Sequence, residues 1–221
     1  MKKIKLAALL AAGMFAASAS AAPIVLDFEG VGNLASINNF YNGGTDSKGN
    51  SGTNYGISFT SSALALGDSD AGGSGNIANE PSGNTSMFFL SGSAILNRAL
   101  GFDTGFSFFY SSSTSAVVNV YEGLNATGAL LGSINLTAQY DGNNCHGDPN
   151  GAFCNFSAAG LSFAGIAHSI DFGGTANQIV FDDITFGAAE PGANVPEPGT
   201  LALLGLGLFG TVAARRRSAK R

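Results

Sequence analysis

Residues 105–123 read GFSFFYSSSTSAVVNVYEG, and this stretch decides the fold. Phe106, Phe108 and Tyr110 fall on one side of an extended chain. After a Ser/Thr-rich turn, Val118 and Val120 lie opposite Val117, Asn119 and Tyr121. A period of two with β-branched and aromatic residues is the signature of a half-buried strand.

The same pattern repeats outward from this pair. Downstream come GALLGSINLTA (128–138), LSFAGI (161–166), AHSIDFGG (167–174) and NQIVFDDITFG (177–187). Upstream come SMFFL (86–90), SAILNRAL (93–100), YGISFTSSALALG (55–67) and PIVLDFEG (23–30), the last with Ile24, Leu26 and Phe28 on one side. Short strands punctuated by Gly and Asn, with no helical periodicity between them, predict an all-β antiparallel sandwich rather than βαβ units. Residues 30–56 are rich in Gly, Asn, Ser and Thr and read as long loops. GDSDAGGSGNIANEPSGNTS (67–86) reads as a flexible acidic loop. Its Asp68, Asp70 and Gly73 half-match a calcium loop, but the twelfth position is Asn79.

Both ends differ from this domain. MKKIKLAALLAAGMFAASASA (1–21) has a basic start, a short apolar run and an A-x-A site, the layout of a secretory signal peptide. The expected organisation is a signal peptide over 1–21, a sandwich over 22–188, a linker over 189–198, a membrane helix over 199–214 and a basic tail over 215–221. The apolar run Gly199–Ala214 measures about 24 Å as a helix against a hydrocarbon core of about 30 Å. It spans if the following arginines snorkel, and the positive-inside rule keeps those arginines cytoplasmic.

Formal net charge is −5. Removing both ends leaves only Lys48 and Arg98 against fifteen carboxylates, a balance near −13. Such a domain repels nucleic acid, whose binding needs clustered cations. It is hospitable to divalent cations. Asp27 and Glu29 sit in the first strand, Asp182 and Asp183 in the last. Antiparallel sandwiches often bring those strands together, so the four carboxylates are a candidate structural Ca²⁺ site. The alternative is solvated edge charge. Successive strand residues face opposite sides, so only one of Asp182 and Asp183 is expected to point into a given site.

Cys145 and Cys154 lie nine positions apart in a Gly/Asn/Asp/Pro loop. In a secreted chain this spacing predicts a disulfide. A metal site on Cys145, His146 and Cys154 is the alternative. No G-x-S-x-G, H-E-x-x-H or P-loop motif is present, and there is no Trp for a sugar platform. The expectation is a protein that is not an enzyme. The five tyrosines, Tyr41, Tyr55, Tyr110, Tyr121 and Tyr140, are candidates for a sugar-stacking face.

The closing order is Pro196-Glu197-Pro198, an apolar run, then Arg215-Arg216-Arg217. This triad closely resembles the PEP-CTERM sorting signal of exported proteins in Gram-negative bacteria that make extracellular polysaccharide. The resemblance implies recognition of Pro196, Glu197 and Pro198 by an exosortase-type membrane protease, after secretion and action of signal peptidase. It implies a transient inner-membrane intermediate facing the periplasm, with Arg215, Arg216 and Arg217 holding the tail inside. The destination would be the cell surface, biofilm or exopolysaccharide matrix. The upstream domain is similar to the β-sandwich cargo of such proteins. The short FE and DD motifs resemble those of carbohydrate-binding modules with a structural calcium. A carbohydrate-binding module for extracellular polysaccharide is therefore the alternative function, with a secreted hydrolase behind it.

Overall fold

The computed structural model describes residues 23–140 and 145–191. Among them there is no helix, and eleven strands form two sheets. These are β1 (Val25–Leu26), β2 (Ile57–Phe59), β3 (Leu64–Gly67), β4 (Thr85–Phe88), β5 (Ala94–Phe102), β6 (Gly105–Ser112), β7 (Ala116–Tyr121), β8 (Leu130–Leu136), β9 (Ser157–Ser162), β10 (Ala167–Phe172) and β11 (Ile179–Phe186). One sheet runs β3-β4-β11-β6-β9, with β1 also paired to β11. The other runs β2-β5-β10-β7-β8. Every pairing between these strands is antiparallel.

The quoted stretch becomes β6 and β7, but the two do not pair with each other. β6 lies in one sheet and β7 in the other, so residues 113–115 carry the chain across the sandwich. Alternation then fills the interior from both sides. Phe106, Phe108 and Tyr110 meet Val118, Val120, Ile170 and Phe172 in one core. Phe108, Phe172 and Phe181 form its centre, with ring centroids 5.0–5.6 Å apart in edge-to-face contacts. That is the favoured aromatic arrangement. Complete burial of rings like these drives the fold, at roughly 25 cal/mol per Å² of apolar surface.

A second, smaller cluster lies on the other face of the six-stranded sheet. Phe181 belongs to the main core, whereas its neighbour Val180 packs with Leu66, Phe88, Ile77 and Phe153. Loop residue Ile77 bridges to Phe153, just before Cys154. The segment expected as a flexible acidic loop is therefore pinned. Its Ile77 is fully buried, and turn bonds such as Gly73 N to Asp68 O (2.7 Å) close it.

Candidate functional site

The first and last strands do meet. Val25 pairs with Thr185 and Leu26 with Ile184. β1 is shorter than PIVLDFEG implies, because Phe28 adopts a left-handed backbone (φ 60°) and leaves the ladder while keeping its ring in the core. Asp183, across from this exit, is also left-handed (φ 48°), at a register break between Asp182 and Thr185. Non-glycine residues in this region are strained, and such strain persists only where surroundings over-determine it.

The break decides where the carboxylates go. Asp182 is fully buried on the outer face of the six-stranded sheet, with Phe109 as its cross-strand partner. Its Oδ1 accepts the Asp183 amide at 2.7 Å, and its Oδ2 is buried without a hydrogen-bond partner. Asp183 Oδ1 accepts from Ser82 Oγ at 2.6 Å. Glu29 Oε1 accepts the amides of Asn84 and Thr85, both at 2.8 Å. Gly83, between Ser82 and Asn84, is left-handed, and a Cβ there would lie 2.2 Å from Glu29 Oε1. Only glycine lets this backbone wrap the carboxylate. Asp27 is exposed.

Burial pushes the Asp182 carboxyl up to about 9, helped by the charges of Asp183 and Glu29; the amides of Asp183 and Ser82 only moderate the rise. Burial also raises Asp183, against its bond from Ser82 and with the charge of Asp27. Tyr41, buried beside them, donates no charge but accepts the Phe28 amide on its hydroxyl at 2.8 Å. Burial, then Asp27, lifts its phenol well above the usual range. Burial likewise raises Glu80, with Asp68, Asp148 and Glu29 adding to it. The four sequence-chosen carboxylates thus share one electrostatic neighbourhood, yet among the described residues no three His, Cys, Asp or Glu groups converge to hold a metal ion. Ser82 and Gly83 were missed from sequence, and Tyr41 was chosen there only as a sugar-stacking candidate. They lie in loops with no periodic signal.

The other candidates are placed as follows. Cys145 and Cys154 form the expected disulfide, with Cα atoms 5.2 Å apart. His168 sits on β10, its Nδ1 on the Glu122 carbonyl. The tyrosines do not converge. Tyr41 and Tyr110 are in the core, Tyr55 stacks on Tyr41, and Tyr140 packs on Phe153. Only Tyr121 lies on the outer face of the five-stranded sheet, between Ser169 and Leu130.

That outer face is polar. Register aligns Ser58, Asn97, Ser169 and Tyr121 in one row, and Ile95, Asp171, Asn119 and Ser133 in the next. Asp171 Oδ1 is buried and unpartnered. The β7–β8 loop folds over one end of this face. Asn97 and Asn125 exchange bonds of 2.7 and 2.9 Å, and the Ala126 amide reaches Ser169 Oγ at 3.0 Å. Asn125 and Ala126 are both left-handed. A cavity of about 210 Å³ between the loop and the sheet is lined by Asn42, Ser58, Asn97, Leu124 and Asn125, among others.

The chain leaves β11 at Gly187, whose amide bonds Gly105 O, and turns back over β9. A Cβ on Gly160 would lie 1.9 Å from the Ala189 carbonyl oxygen. Pro196, Glu197, Pro198, Arg215, Arg216 and Arg217 follow, outside the described residues, as do the expected signal peptide and membrane helix.

Comparison with known families decides what that closing segment is. Residues 194–217 match the PEP-CTERM protein-sorting motif. The match takes in Pro196-Glu197-Pro198 and Arg215-Arg216-Arg217. A PEP-CTERM motif implies an exported protein that passes through a membrane-anchored intermediate and is processed by an exosortase. No curated protein matches the chain. Among solved structures, the K2 cleaved adhesin domain of Lys-gingipain aligns with 76% of this chain and 98% of its own, at 12% identity and TM-score 0.47. A family 6 carbohydrate-binding module aligns with 58% of this chain and 85% of its own, at 15% identity and TM-score 0.35. A glycoside hydrolase family 43 arabinoxylan arabinofuranohydrolase from Bacillus subtilis aligns with 56% of this chain, at 17% identity and TM-score 0.37. The chain spans about a quarter (24%) of that hydrolase. All three scores fall below 0.5, so the sandwich rests on this chain's own strand pairings.

Proposed function

We propose that this protein is an exported, non-enzymatic component of the cell surface or extracellular matrix. Its PEP-CTERM tail holds the β-sandwich at the inner membrane until an exosortase acts near Pro196-Glu197-Pro198 and releases the cargo. The observation that carries the reading is the match over residues 194–217, directly after a folded domain. The test replaces Pro196, Glu197 and Pro198 with alanine in the producing cells. The variant accumulates in the membrane fraction while the natural chain appears at the surface or in the matrix. Equal distribution of the two contradicts the proposal.

A second reading, binding of extracellular polysaccharide, is favoured by the polar outer face of the five-stranded sheet. It presents carboxamides and hydroxyls, the half-buried Asp171 carboxyl and one tyrosine, a mixture suited to sugar hydroxyls. Saturable retention on polysaccharide from the producing cells, lost on Asp171→Ala, supports it. A third element is a structural Ca²⁺ at Asp27, Glu29, Asp182 and Asp183. What supports it is the buried, unpartnered Asp182 Oδ2 within the field of two further carboxylates, Asp183 and Glu29. A melting temperature raised by Ca²⁺ and returned by chelator supports this element. Equal melting of the natural chain and a Glu29→Ala, Asp183→Ala variant with Ca²⁺ contradicts it.

A further inference from the structure

We propose that β8 is a self-association edge, on which a second copy of this chain adds its own β8 to continue the five-stranded sheet across a two-fold axis. β8 is the terminal strand of its sheet and pairs with β7 alone among the described residues. Alternate residues of such a strand present unpaired N–H and C=O groups, a template for another strand. Natural edges are usually guarded by charge, proline or short length. β8 has none of these three guards, and its one irregularity, a bulge at Leu131 opposite Val120 and Tyr121, lies at the start of the strand, away from Ser133 and Asn135. Its sequence is LLGSINL, seven residues with no charge and no proline. Leu130 is 56% exposed at its start, and Ser133 and Asn135 are exposed along it.

Electrostatics selects the occupant. The domain carries two cations against its many carboxylates, so two copies repel over most of their surface. Residues 123–140, which contain β8, and 149–170, which contain β9, hold no Asp, Glu, Lys or Arg. β8 and β9 are terminal strands of the two sheets and meet where Gly132 makes room for Leu161; a Cβ on Gly132 would sit 2.4 Å from Leu161 Cδ2. One flank of an acidic sandwich is therefore neutral, with an open ladder, and that flank is where like-charged copies approach at least cost. An antiparallel pairing of β8 with itself is isologous and closes as a dimer, leaving no free edge at the contact.

The test is the mass of the full chain in mild detergent, by light scattering after size exclusion, from micromolar to near-millimolar concentration. Three variants are run beside it: Ser133→Lys, Asn135→Lys and Val117→Lys. The first two place like charges across the new contact, where they are destabilising. Val117, also exposed, lies one strand in from the edge and adds the same charge away from it. The natural chain and Val117→Lys form dimers that strengthen with salt, as screening of the acidic surface requires. Ser133→Lys and Asn135→Lys stay monomeric with unchanged melting temperature. A natural chain that is monomeric throughout overturns the proposal, as does loss of the dimer in Val117→Lys or its survival in both edge variants.

Discussion

The Asp183 amide donates to Asp182 Oδ1 at 2.7 Å, while Asp182 Oδ2 is buried with nothing to bond. Asp182 is thus held as the neutral acid, its carboxyl pushed up to about 9 chiefly by burial. In the unfolded chain the same group titrates near 3.8. Between these values the folded state binds a proton that the unfolded state does not. Stability from this group is therefore full below the unfolded value and is lost as pH rises toward about 9. The slope is about 1.4 kcal/mol per pH unit. Asp183 and Glu80, also raised, act in the same direction. Denaturant melts across pH 5–9 will show stability falling with pH, and Asp182→Asn will flatten that fall.

Asp46 works the other way. Burial alone would raise it, but amides of Gly32, Asn50 and Lys48 and the Asn50 side chain outweigh that and hold it below the usual range. Its contribution is present above the unfolded value and is lost as pH falls through the lower folded one. Asp46→Ala leaves those amides without their acceptor and will destabilise by about 1–3 kcal/mol at neutral pH. Chemical denaturation measures this directly.

The disulfide between Cys145 and Cys154 closes the loop that seals the smaller apolar cluster. Replacing both cysteines with serine will cost roughly 2–3 kcal/mol. Amide exchange will rise first around Ile77 and Phe153, ahead of the main core. Uniform loss of protection across β6, β10 and β11 would contradict this ordering.

Gly160 seats the linker, because its missing side chain is where the Ala189 carbonyl lies. Gly160→Val will displace residues 188–191 without opening the core. Limited proteolysis will cut upstream of Pro196 faster in the variant, at a nearly unchanged melting temperature. An unchanged cleavage rate would show that the linker does not depend on this seat.

Most strands were legible because their alternation is strict; β9 was not, since it spans Ser157–Ser162 and residues 163–166 of the expected LSFAGI stretch lie outside any strand. Phe106, Phe108 and Tyr110, or Val118 and Val120, leave no other face to bury. The strand order was not legible, since alternation says nothing about partners, and β6 and β7 separate into different sheets. The meeting of β1 with β11 was anticipated. The joint involvement of Asp182 and Asp183 was not, because it depends on a register break that period-two reasoning cannot see. Ile77 docks the 67–86 loop, and the expectation of a flexible loop overlooked this one large apolar residue in a polar run. The sorting motif was the most readable feature, because its order of Pro-Glu-Pro, apolar run and arginines is recognised as linear sequence.

The most direct test of the account is the intact mass of the mature protein taken from the cells that make it. The account predicts a chain that has lost its signal peptide and ends near Pro198, without the apolar run and Arg215-Arg216-Arg217. A mature mass that retains Arg221 contradicts it and makes the tail a permanent anchor.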